Sequence, residues 1–130
     1  IPAPIRKQFL TKDKKTFVVT RGIDRCAWIY PMSEWNLIQK ELNQLSSLSK
    51  TNRIFLRNHL RHANILKFDS QGRFVLPQSL IDYTSIRKDV TIIGVLNKIE
   101  IWNPNLLRKI DQSDEIDDQS YEQLSERVNI

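Results

Sequence analysis

The amino-acid sequence predicts an α+β fold made of two tandem β-α-β-β units with additional helices, and the main reason is an internal repeat. Residues 1–9, IPAPIRKQF, resemble residues 75–83, VLPQSLIDY. Each stretch places an aliphatic residue and a proline ahead of a short amphipathic helix. Pro2 and Pro77 suit the first turn of a helix, where a missing backbone N–H costs nothing. The repeat therefore predicts one proline-started helix in each unit.

Each unit also contains a predicted hairpin that ends at a proline. The first hairpin is TFVVTRGIDRCAWIYP, residues 16–31, and the second is DVTIIGVLNKIEIWNP, residues 89–104. Both contain two β-rich runs on either side of a turn. The matched segments are the first strands Phe17–Val19 and Val90–Ile92, the turns Gly22–Asp24 and Val95–Asn97, and the second strands Trp28–Pro31 and Ile101–Pro104.

Two further helices are predicted after the first hairpin. Ser33 is suited to cap the first of them, which runs from Glu34 to Leu42. Apolar residues recur at helical spacing and form one face, namely Leu37, Ile38, Leu42 and Leu45. A serine-rich break over residues 46–52 separates this helix from the second, which runs from Arg53 to about Ala63.

The second of these helices carries a basic stripe, and the end of the chain is acidic. Arg53, Arg57 and Arg61 are spaced four residues apart. A helix is predicted from Asn105 to about Ile110, and a loose segment with five acidic residues follows from Asp111 to Asp118. A short helix is expected around Tyr121–Val128. The predicted divisions are a first repeat with a helical linker at residues 1–66, a second repeat at residues 67–110 and an acidic tail at residues 111–130.

Composition narrows the class of protein. The 130 residues suit one domain, or two small fused ones, and can bury a core without disulfides. The single cysteine, Cys26, excludes an intrachain disulfide, and no apolar run approaches the roughly 18 residues of a membrane span. We therefore expect a reduced, cytoplasmic setting with no membrane partner.

The charge is unevenly distributed. Residues 1–68 contain 13 Lys or Arg and 4 Asp or Glu, whereas residues 69–130 contain 7 and 11. A basic body with an acidic end favours a polyanionic partner on one face, although a solvated surface gives the same pattern.

The stretch KFDSQGRFVLP, residues 67–77, contains a predicted turn directly before an arginine. Asp69 and Gly72 occupy the first and fourth positions that these residue types favour in a type I turn. The Asp69 carboxylate can accept a hydrogen bond from the backbone N–H two residues on. The flanking runs Ile65–Phe68 and Phe74–Leu76 suggest short strands. The turn is either an ordinary hairpin or a device that presents Arg73 to an anionic partner.

Several segments together resemble the MraZ family of bacterial transcriptional regulators, in which each of two repeats has a D-x-x-G-R loop running into an aliphatic-Pro step. The segments are FDSQGRFVLP, TRGIDRCAWIYPMSEW, RIFLRNHLRHA and IGVLNKIEIWNP. The resemblance covers nearly the whole chain. It implies a fold related to AbrB, SpoVT and MazE-type antitoxins, in which the two repeats interlock as swapped hairpins in a small β-barrel. It also implies that the first-repeat arginine precedes Ile1.

The resemblance further implies the function and its residues. Arg73 is the matched DNA-contacting residue, and Asp69 and Gly72 shape its loop. Arg6 and Lys7, at the start of the first small helix, are candidates for contacts with the DNA backbone. The partner would be double-stranded DNA with short, tandem, G-rich repeats in the promoter of the division and cell-wall gene cluster. The protein would act as a repressor of this cluster, its own promoter included, and would be nucleoid-associated.

The resemblance also implies an oligomer, and two other functions stay open. The family forms rings of identical subunits, and we expect the interface to bury helix residues Leu37, Leu42, Ile54 and Leu60. An alternative is an antitoxin-like module whose acidic tail binds another protein, and an oligomeric scaffold without a ligand is a third.

No catalytic residues, metal, cofactor or small-molecule substrate are predicted. His59 and His62 have no further ligands at suggestive spacing, and Cys26 has no activating neighbour.

Overall fold

The computed structural model describes residues 16–113 and 116–128, which fold into a sheet and helices. The strands are β1 (Thr16–Arg21), β2 (Ala27–Pro31), β3 (Asn64–Lys67), β4 (Thr91–Val95) and β5 (Lys98–Trp102). The helices are α1 (Met32–Leu42), α2 (Lys50–Arg61), α3 (Gln78–Thr84), α4 (Pro104–Ser113) and α5 (Asp118–Arg127). The α+β class is therefore confirmed. The predicted helix that starts at Pro2, with Arg6 and Lys7, lies outside the described residues.

The five strands form one antiparallel sheet that joins the two halves of the chain. Their order is β3-β1-β2-β5-β4. The central pair is β2 with β5, in which Ala27 lies opposite Ile101 and Ile29 lies opposite Ile99. β3, from the middle of the chain, pairs with β1. In the described residues the sheet has two edges, β3 and β4, and the swapped-hairpin barrel stays a prediction.

Apolar side chains cover both faces of the central strands. Successive strand residues point to opposite faces, so Phe17 and Val19 lie in one cluster and Val18 lies in the other. The first cluster also contains Leu80 of α3, which is fully buried. The second contains Trp35 of α1, which is 4 % exposed. The proline-started helix and the first long helix therefore cover opposite faces of one sheet.

Two predicted helix starts are wrong. Pro31, not Ser33, is the N-cap of α1, since β2 runs directly into the helix at this proline. The next helix, α2, begins at Lys50 rather than Arg53, because the Ser49 side chain accepts a hydrogen bond from the Asn52 N–H at 3.3 Å. The serine-rich break thus contains the cap of the helix that follows it.

The predicted strand Phe74–Leu76 is also wrong. This segment is not part of the sheet, although its alternating pattern is real: Phe74 and Leu76 pack against the core and Val75 is 84 % exposed. An extended segment that anchors every second side chain produces the same period of two as a paired strand.

The C-terminal helices are longer than predicted. α4 continues to Ser113, so residues 111–113 are helical rather than loose. Asp117 caps α5, and its carboxylate accepts a hydrogen bond from the Ser120 N–H at 2.7 Å. This cap starts α5 three residues before the predicted Tyr121.

Candidate nucleic-acid interface

The loop from Asp69 to Arg73 is fixed by hydrogen bonds to its own backbone. The Asp69 Oδ1 accepts from the N–H groups of Gln71 and Arg73, each at 2.8 Å. The Asp69 N–H donates to the Arg73 carbonyl at 2.8 Å, and the Gly72 N–H donates to the Asp69 carbonyl at 3.0 Å. Gly72 has φ 77°, a left-handed conformation that glycine adopts without a steric penalty. The predicted roles of Asp69 and Gly72 in shaping the turn are therefore visible in the structure.

The Arg73 side chain projects from this turn into solvent. Its guanidinium donates a hydrogen bond to the side-chain oxygen of Gln71. Arg73 is exposed, whereas the adjacent Gly72 is buried. A guanidinium offers five N–H donors in a planar fork, so one bond to Gln71 leaves donors for a guanine edge or a phosphate.

Aromatic residues on both sides of the loop attach it to the core. The Phe68 ring stacks on Phe17 with ring centroids 4.4 Å apart, and the Phe74 ring meets Phe17 edge-on at 4.9 Å. Phe17 is fully buried in β1. The loop therefore leaves the sheet between two anchored side chains, which is how a rigid scaffold positions a binding loop.

The predicted interface residues lie on the surface of the single chain. Leu37 is 54 % exposed, Ile54 is 44 % exposed and Leu60 is 43 % exposed, and Leu42 is half-buried. Leu37 therefore does not belong to the face of α1 that packs on the sheet, which Trp35 and Ile38 occupy.

A cluster of two arginines and a tyrosine was missed by the sequence analysis. The Arg21 guanidinium lies over the Tyr83 ring, 4.2 Å from its centroid, and the Tyr83 hydroxyl donates to the Gly22 carbonyl at 2.9 Å. The Arg25 Nε donates to the Tyr83 carbonyl at 3.2 Å. Arg21 and Tyr83 also line a cavity of about 370 Å³ together with Phe55. The arginines and the tyrosine are some 60 positions apart in the chain, so no local motif could reveal them.

His59 is a core residue in the part of the chain that the structure describes. It is 6 % exposed, and its ring stacks on Phe55 and packs against Trp35. Burial, and secondarily the Lys98 ammonium, lowers the pKa of His59 below its ordinary value. Within the described residues, His, Cys, Asp and Glu form no group of three or more that could hold a metal ion. Among those residues, no helix combines the length and apolar character that crossing a membrane requires.

The fold and the loop define an α+β protein that presents an arginine on a fixed turn, and comparison with known proteins gives its family. The family model described as "MraZ protein, putative antitoxin-like" matches residues 1–58 and again residues 59–129. The chain belongs to the MraZ family.

Three relatives illustrate the similarity, and each is named transcriptional regulator MraZ. The protein of Clostridium tetani is 36 % identical over 129 residues, which are 99 % of this chain and 85 % of the relative. The protein of Natranaerobius thermophilus is 38 % identical over 128 residues, 98 % of this chain and 85 % of the relative. The protein of Pediococcus pentosaceus is 42 % identical over 103 residues, 79 % of this chain and 69 % of the relative.

Proposed function

We propose that this protein is a sequence-specific DNA-binding transcriptional regulator that contacts tandem G-rich repeats through the Arg73 loop. The observation that carries the proposal is the exposed guanidinium on a turn whose backbone Asp69 fixes. The relatives that are named transcriptional regulators support the class.

The chemistry of Arg73 suits base recognition. An arginine fork pairs with the O6 and N7 atoms of guanine through two hydrogen bonds, worth about 1–3 kcal/mol of discrimination against other bases. A fixed backbone lowers the entropy cost of placing that fork. Arg6 and Lys7 are proposed to contact phosphates of the DNA backbone, which would set the orientation of the protein on the duplex.

The regulator is proposed to act as a ring of identical subunits. The large apolar side chains Leu37, Ile54 and Leu60, exposed on two helices, would be buried between neighbours. A head-to-tail contact that closes on itself generates a ring, and the ring would present identical loops to repeated DNA sites. The proposed units are residues 1–66, 67–110 and 111–130.

The proposed target is the promoter of the division and cell-wall gene cluster, with the protein's own gene included, and the proposed location is the nucleoid. No reaction is assigned. The second candidate, an antitoxin-like module, is favoured by the exposed acidic helix α5. This alternative predicts that removing residues 118–130 abolishes binding to a partner protein while DNA binding is unchanged.

The test is a binding titration of the full-length protein with two duplexes of equal length. One duplex carries the promoter region upstream of the gene that encodes this protein, and the other carries a segment from within that gene. The proposal predicts tighter binding to the promoter at every salt concentration, whereas equal affinity for both duplexes would contradict it.

A further inference from the structure

Helix α2 presents a basic stripe with apolar residues on both sides. Arg53, Arg57 and Arg61 are exposed and lie four residues apart, so they share one face. No acidic residue lies within α2. Leu60 and Ile54 flank the stripe, and each is more than two-fifths exposed. This face combines positive charge with apolar surface.

Helix α5 presents the complementary pattern. Asp118, Glu122 and Glu126 are also exposed and four residues apart. Tyr121 lies beside this acidic stripe and is 64 % exposed, whereas Leu124, which is 48 % exposed, lies on the opposite side of the helix. No residue of α5 is buried, so this amphipathic helix is not packed on the core of its own chain.

The two stripes carry opposite charges and have the same spacing. A helix rises 1.5 Å per residue, so successive charges are roughly 6 Å apart on both helices. Three guanidinium groups can therefore face three carboxylates in one register. The Arg57 side chain makes no hydrogen bond to the described residues, whereas the Arg53 side chain donates to two carbonyls of the preceding loop and that of Arg61 contacts His62. At least the central position of the stripe is available to a partner.

We propose that α5 of one copy docks along α2 of a neighbouring copy. This inference rests on the proposed assembly and deepens it by naming the interface. The exposure of both stripes excludes α5 from covering α2 of its own chain in this structure. The apolar flanks favour a helix over DNA as the partner, because phosphates gain nothing from Leu60 and Ile54, whereas the Tyr121 ring beside the acidic stripe would be buried against them.

The contact is head-to-tail, since each copy gives α5 to one neighbour and receives α5 from another on α2. Such a contact closes into a ring when its rotation divides a full turn. Opposite charges set the register and exclude wrong alignments, and burial of the Tyr121 ring adds apolar contact.

Charge reversal in the full-length protein tests the interface. The basic-side variant is Arg57→Glu/Arg61→Glu, and the acidic-side variant is Glu122→Arg/Glu126→Arg. Each should raise the subunit concentration at which the assembly dissociates by about tenfold or more, because like charges then face each other. Light scattering across a dilution series measures the mass. The matched control is Asp89→Arg, an exposed reversal outside the helices that carry proposed interface residues, which should leave the mass unchanged.

Mixing the two variants is the decisive step. An equimolar mixture should recover the parental mass, because the acidic α2 of one variant can receive the basic α5 of the other, and the unmodified helices pair in turn. Circular dichroism during heating checks that each variant folds, which we expect because the four substituted residues are exposed.

Four results would overturn the inference. The first is a monomeric parent, and the second is a parental mass in either variant alone. The third is recovery in a chain that carries all four substitutions but not in the mixture, which would place α5 on its own chain. The fourth is an unchanged mass with weaker binding to every duplex, which would make α2 a phosphate-binding surface. The proposed DNA-binding function has a different test, because it is contradicted only if the parent protein does not prefer promoter DNA.

Discussion

Replacing Arg73 with alanine should separate DNA recognition from folding. The turn depends on backbone groups of residue 73, whose N–H donates to the Asp69 carboxylate and whose carbonyl accepts from the Asp69 N–H. Alanine keeps both of these bonds. The substitution removes only the side-chain bond to Gln71, which is exposed, so the free energy of unfolding should change by no more than about 0.5 kcal/mol.

The cost to DNA binding should be much larger. Loss of one bidentate guanine contact costs about 1–3 kcal/mol, which corresponds to roughly 5- to 150-fold weaker binding per loop. Identical loops that meet repeated sites amplify this loss, because one substitution acts at every site together. Arg73→Lys should keep phosphate attraction but not the planar fork, so it should not restore sequence preference.

The assay is a fluorescence anisotropy titration of full-length protein at several salt concentrations. One duplex carries tandem G-rich repeats, and the other carries the same bases in scrambled order. Base contact predicts that Arg73→Ala loses affinity chiefly for the repeats, whereas a phosphate contact predicts equal losses and a salt slope shallower by roughly 0.9. Arg87→Ala, which removes an exposed arginine outside the loop, should show no repeat-specific loss. If Arg73→Ala binds the repeats with parental affinity, Arg73 makes no DNA contact and the loop is an ordinary turn.

Three further predictions concern the body of the fold. Burial lowers the pKa of His59, so the contribution of this neutral imidazole to stability is present above the ordinary pKa of 6.5 and is lost as pH falls. His59→Phe should therefore flatten the decline in the free energy of unfolding between pH 7 and pH 5. An unchanged slope would contradict this. The Glu100 carboxylate accepts hydrogen bonds from the indole N–H groups of Trp28 and Trp102, each at 3.0 Å. Glu100→Leu should therefore lower the free energy of unfolding, measured by urea denaturation, by about 2–3 kcal/mol. Parental stability would show that these two hydrogen bonds do not stabilise the fold. A Cβ at Gly22 would lie 2.5 Å from the Cys26 sulfur, whereas a Cβ at Gly94 would meet nothing within 4 Å. Gly22→Ala should therefore lower the free energy of unfolding by about 1–3 kcal/mol, and Gly94→Ala should not. Equal midpoints of the two variants in thermal melts would contradict this difference in packing.

The strands and the loop were predictable because their signals are local. The repeat placed both hairpins, and a proline before an amphipathic run located α3. Asp69 and Gly72 indicated a turn because their preferences come from hydrogen bonds within five residues. The α+β class followed from these local elements alone, since none of them depends on a long-range contact.

The features that failed depend on tertiary context. Phe74 and Leu76 alternate as strand residues do, but their pattern reflects anchoring to the core rather than pairing in the sheet. The stacking of Arg21 on Tyr83 joins residues that only the fold brings together. Helix starts were also misplaced, since Ser33 and Ser49 are equally good caps in isolation and only the path of the chain selects Ser49.

Selection from random DNA tests whether Arg73 gives the protein a preferred DNA site, because the protein itself chooses its site from all possible sequences. The full-length protein is incubated with a pool of random duplexes, and the bound fraction is amplified and sequenced over several rounds. Base recognition by the Arg73 loop predicts enrichment of short G-containing repeats in tandem at a fixed spacing, and it predicts that Arg73→Ala enriches no such sequence. A parent that enriches no sequence, or an Arg73→Ala variant that enriches the same repeats as the parent, would contradict it.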